Sequence, residues 1–136
     1  MPWYGFIHPL LAVATIALGL VTAQTSLTKS ADWDFPLRRQ RSRSIIFVLL
    51  CVGNFAIGLF VNVALRGLHK GVKITGHLPL SIFVLVAAFL AALVTFARSR
   101  PGEISPLMRW HAMLSIAALA VILTMAFLGG LSLFSH

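Results

Sequence analysis

The 136-residue chain is 59% apolar and only 10% charged, with a mean hydropathy of +0.95. An ordinary soluble domain is about 45–50% apolar and about one-quarter charged. Intrinsic disorder, a disulfide scaffold and a soluble enzyme are therefore excluded. The net charge of +8 and the pI near 11.6 come from short Lys and Arg clusters without interleaved exposed aromatics, a pattern that argues against nucleic acid and for loops that meet lipid headgroups.

The apolar stretches between those clusters are about 20 residues long, enough for a hydrocarbon core about 30 Å thick. Backbone groups in such a core must be satisfied within their own segment. The prediction is an all-α membrane protein, a single four-transmembrane-helix bundle over residues 1–136.

The first predicted span runs from about Tyr4 to Ala23, with Trp3 and Tyr4 at its head as interfacial anchors. Val21-Thr22-Ala23 resembles a signal cleavage site, but no Lys or Arg precedes the span, and it reads as a permanent helix. A polar interval follows, with Lys29, Asp32, Asp34, Pro36, Arg38, Arg39, Arg41 and Arg43.

The second span, Ile45 to Leu65, contains Cys51, Asn54 and Asn62. Asn54 lies between Gly53 and Gly58, on a small-residue face that another helix or a flat macrocycle can approach closely. Interhelical hydrogen bonding is the plain expectation for it. The next interval holds Arg66, Gly67, His69, Lys70, Gly71, Lys73 and Gly76; His69 reads as solvated.

The third span, His77 to Ala97, and the fourth, Met108 to Phe134, are rich in alanine and so suited to close packing. Between them stand Arg98, Arg100, Pro101, Gly102, Glu103 and Pro106. Eight Lys and Arg residues in the first and third intervals, with Arg109, face three in the middle one. The positive-inside rule then places the first and third loops in the cytoplasm and both termini on the non-cytoplasmic side.

No carboxylate lies within a span, which leaves no Asp–Glu proton relay, and no hydrolase or phosphate-binding motif is present. Histidine remains. His8 and His77 lie at similar depth near the outer face of two helices that cross in the same direction. Two imidazoles so placed can supply both axial bonds of a haem iron. Arg66 and Lys70 stand on that side, where propionates want cations. The plainer reading rests each histidine in the headgroup region. His111, beside Trp110 at the opposite face, reads as an interfacial residue in preference to a lone ligand. His136 is terminal and reads as having no role.

The segments "FIHPLLAVATIALGL", "GHLPLSIFVLVAAFLAALV" and "RWHAMLSIAALAVILTMAFLGG" together resemble the cytochrome b561-like superfamily, closest to a family of small four-helix proteins common in phototrophs. That resemblance implies haem b, electron transfer, and a bacterial inner or photosynthetic membrane. It matches His8 and His77 to an outer-face pair and His111 to half of an inner-face pair. Ser44, or a neighbour, stands where the other inner histidine is expected. The expected partners are membrane lipid and a quinol or redox protein. The alternative is a non-enzymatic accessory or assembly subunit of a larger membrane complex, with pigment binding as a variant, since one histidine suffices to ligate magnesium.

Overall fold

A computed structural model describes residues 6–29, 36–66, 77–97 and 106–134 of the chain. They form four helices: α1 (Ile7–Lys29), α2 (Leu37–Arg66), α3 (His77–Ala97) and α4 (Pro106–Phe134). Each begins with a proline in or just before its first turn: Pro9, Pro36, Pro79 and Pro106. There the missing N–H is one that no helical carbonyl would have accepted, and the fixed φ favours the helix. At α2 the Pro36 carbonyl accepts the Gln40 N–H at 2.9 Å, closing the first turn.

Consecutive helices pack side by side, and α4 closes the ring against α1, so α1 and α3 stand diagonally opposite. The side-chain contacts fix an up-down-up-down course. The beginning of α1 meets the end of α2 where His8 abuts Gly58, and the beginning of α3 meets the end of α4 at Ser81 and Met125. At the other end Gln40 of α2 reaches Ser26 of α1, and His111 of α4 reaches Ala91 of α3. The beginnings of α1 and α3 thus share one end, and the Arg-rich beginning of α2 marks the opposite, basic end.

All four helices are long and apolar enough to cross a membrane, as a multi-pass integral membrane protein requires. The bounds of α3 coincide with the predicted span. α1 continues past Ala23 to Lys29 and α2 begins at Leu37, ahead of Ile45. α2, at 30 residues, is roughly 45 Å long at 1.5 Å per residue, so it outreaches a hydrocarbon core. A helix needs apolar side chains only where lipid surrounds it, and beyond that depth its Arg side chains find partners on α1 and α3.

The interior reverses the soluble pattern. Leu10, Leu49, Phe60 and Phe127 are each more than 60% exposed, while the most deeply buried residues include Thr15, Gln40, Ala87, Ala88 and Ala118. Each helix turns a stripe of mostly small or polar residues inward, spaced by three or four. On α1 it is His8, Leu11, Thr15, Gly19, Thr22 and Ser26; on α2, Gln40, Ser44, Phe47, Cys51, Asn54 and Gly58. On α3 it is Ser81, Val84, Ala88, Ala91 and Thr95; on α4, His111, Ser115, Ala118, Ile122 and Met125. A spacing that averages near 3.5 keeps one face toward its neighbours along a left-handed bundle. Small residues on it bring the backbones close, which is how helices associate without a hydrophobic driving force.

Candidate functional site

Two polar zones occupy the ends of this interior. At the end where α1 begins, His8 is half-buried and its ring lies on α2. A Cβ on Gly58 would come within 3.2 Å of His8 Cε1 and 3.6 Å of Nδ1. Any other residue at Gly58 therefore pushes the imidazole away. Further inward, Asn54 Nδ2 donates to Thr15 Oγ1 at 2.8 Å, and that hydroxyl donates to the Leu11 carbonyl at 2.8 Å. This is the interhelical bond expected of Asn54. Its Oδ1 is buried with no hydrogen-bond partner, an acceptor left over on the stripe that carries Gly58 one turn away.

The first residue of α3 is His77, so its backbone shares the end that holds His8. The side chains of His77, Arg66 and Asn62 lie outside the described residues, as do Trp3, Tyr4, His69, Lys70, Lys73 and His136. Among the described residues no three of His, Cys, Asp or Glu converge as a metal cluster. A pair of imidazoles is nevertheless the donor set that a six-coordinate b-type haem takes. The glycine under the His8 ring is the kind of gap that lets a ring stand close to a helix backbone. At that end His8 is the described side chain of that donor type.

At the basic end the structure corrects the reading of His111. Trp110 is exposed, but His111 is 4% exposed and points into the bundle. Its Nδ1 lies 2.8 Å from the Ala91 carbonyl and 3.3 Å from Thr95 Oγ1. Thr95 Oγ1 itself donates to the Ala91 carbonyl at 3.1 Å. A carbonyl can only accept, so Nδ1 is the donor in that contact. The interfacial expectation fails because α3 offers a buried carbonyl one helix away, a partner that no local reading of Arg109-Trp110-His111 reveals.

Beside this ring is a cavity of about 30 Å³, lined on its polar side by Thr22, Ser44, His111 and Ser115 and otherwise by glycine, alanines, Phe47 and Leu119. Ser44, which stands where the resemblance expects a histidine, thus shares a cavity with His111. The volume is far below that of a macrocycle.

Gln40, 2% exposed, closes the same end. Its Nε2 donates to Ser26 Oγ at 2.7 Å and to the Thr22 carbonyl at 3.3 Å, while Oε1 is buried without a partner. Arg43 Nη1 donates to Thr25 Oγ1 at 3.0 Å. Arg41 Nη2 reaches the Phe96 carbonyl at 3.3 Å, with its guanidinium 5.6 Å from the Phe96 ring centre. The sequence reading missed Gln40 and Ser26; the signal was their place on the three-and-four stripes, where a long polar side chain recurs in register with Ser44 and Thr22.

His8 and His111 lie at opposite ends and do not share a site. No family model, curated protein or solved structure matches the chain.

Proposed function

We propose that the chain is a small b-type cytochrome-like membrane protein whose function is electron transfer, with a haem held between His8 and His77. The observation that carries this reading is the seat of His8, an imidazole set against a glycine in the α1–α2 groove, at the end where α3 begins with His77. The bound haem would supply a one-electron iron couple. The chain's part is to present neutral imidazole nitrogens, to fix the His8 ring against Gly58, and to keep water out with its apolar helices. Ligand basicity, burial and nearby charge then set the potential.

Arg66 and Lys70 belong to that end by sequence and are the cations for propionates. On this reading the basic end faces the cytoplasm, and electrons are exchanged on the other side with a quinol or a redox protein.

The test is a reduced-minus-oxidised visible spectrum of the purified full-length protein, expressed with ample haem, beside His8→Ala and His77→Ala. The expected result is a sharp b-type α band in the parent that both variants lose. A featureless spectrum from folded parent protein overturns the reading and leaves the accessory-subunit alternative.

A further inference from the structure

We propose that the outward face at the start of α2 seats an anionic phospholipid. Arg38, Arg39 and Ser42 hold its phosphate, and its acyl chains lie along Ile45, Ile46 and Leu49. The proposal does not depend on haem; it rests on the helices crossing a membrane, for which they are long and apolar enough.

Placement is the first argument. Gln40 and Ser44 are buried on the inward stripe of α2, whereas Arg38, Arg39, Ser42, Ile45, Ile46 and Leu49 are all exposed. Steps of three and four residues join these exposed positions into one face. One turn, about 5.4 Å, separates the two arginines from Ser42, and another separates Ser42 from the isoleucines. Polar headgroups form a layer roughly 5–8 Å deep on each side of the hydrocarbon. The face thus passes from guanidinium to hydroxyl to hydrocarbon at the depth where a phospholipid does the same.

Charge is the second argument. By sequence, eight Lys and Arg residues belong to the basic end, against the three carboxylates of Asp32, Asp34 and Glu103. Even with every carboxylate paired, five positive charges remain. Arg41 and Arg43 bond to the Phe96 carbonyl and the Thr25 hydroxyl, neutral groups that hold a guanidinium and leave its charge. The first turn of α2 has no acidic residue, and that end of a helix already carries a partial positive charge. The arginines there oppose the helix electrostatically, and a negative headgroup relieves the repulsion.

Residue type is the third argument. The four cations between positions 38 and 43 are all arginine. A guanidinium pairs with phosphate through two parallel hydrogen bonds, whereas a lysine ammonium acts as a point charge. A net-neutral phosphatidylcholine offers the same phosphate, but with its own cation beside it. Clustered guanidinium groups therefore select a lipid of net negative charge.

The test incubates full-length protein in non-ionic detergent with equal amounts of phosphatidylglycerol and phosphatidylcholine. After gel filtration, the retained lipid is quantified by mass spectrometry. The parent is expected to retain phosphatidylglycerol in preference. Arg38→Gln with Arg39→Gln, its folding checked by circular dichroism, is expected to lower that preference by about fivefold for each guanidinium lost. Arg66→Gln with Lys70→Gln removes the same charge from the other end and is expected to leave the preference unchanged. Excess inorganic phosphate is expected not to displace the lipid, because it brings no chains to Ile45, Ile46 and Leu49. Equal retention of the two lipids by the parent overturns the proposal. So does a preference that survives the loss of both arginines, or one that falls equally in the two double variants. Displacement by phosphate overturns the assignment to a lipid.

Discussion

Gly58 and Gly19 both lie on inward stripes, yet an alanine acts differently at each. At Gly58 the new Cβ meets His8 Cε1 at 3.2 Å, and a half-buried ring can yield by a few tenths of an ångström. Alanine also improves helix propensity by about 1 kcal/mol. Gly58→Ala is therefore expected to leave the melting midpoint near that of the parent while shifting the α band or potential of haem-loaded protein. At Gly19 the Cβ would fall 2.5 Å from Leu119 Cδ2 and 2.8 Å from Phe47 Cε2. Overpacking of that kind costs about 1–3 kcal/mol, which outweighs the propensity gain. Gly19→Ala is expected to lower the thermal midpoint in detergent, read by circular dichroism.

The Thr15–Asn54 pair yields an ordering. Thr15→Val strips the partner that Asn54 Nδ2 has among the described residues and leaves both ends of the amide unsatisfied there. Asn54→Leu removes the amide altogether, its orphan Oδ1 included. Leaving a buried polar group unpaired costs more than removing it, so Thr15→Val is expected to be the more destabilising. A cycle of the two substitutions is expected to show coupling of about 0.6 kcal/mol and no more than roughly 1.7 kcal/mol. Reversible unfolding in mixed micelles checks both numbers.

The existence of four helices was legible, because a run of apolar residues as long as a bilayer is thick admits little else. The extent of α3 was legible too, with glycine before it and arginine after it. The extra turns of α1 and α2 were not, since Lys29 and Arg38 to Arg43 read as loop when only lipid is considered. They remain helical because Gln40 and Arg43 bond to Ser26, Thr22 and Thr25 across the helix pair, and a partner on another helix is not written in a segment's own composition. His111 was misread for the same reason. Gln40→Ala tests this account. It is expected to leave the helical content intact and to speed amide exchange over the last turns of α1, measured by deuterium uptake.

Taken whole, the molecule keeps its bulk outside and its small and polar residues within. Large aliphatic and aromatic side chains cover every helix outwardly, whereas the core cluster centres on Cys51, Val84, Ala88 and Ile122. Cys51 is the sole cysteine and is 5% exposed in mid-helix, so it reports on the integrity of the bundle. A maleimide is expected to label it slowly in folded protein and rapidly once the bundle is opened by heat or strong detergent. The difference is read by mass.

Where Gly19 admits Leu119 and Phe47 against its backbone, the inward stripes lose their polar character. The Thr15–Asn54 bond lies on one side of that level, and Ser44 with His111 on the other. The molecule is thus stoppered at its waist. The Thr15–Asn54 bond and the polar groups around His111 are thereby kept on separate levels of the bundle.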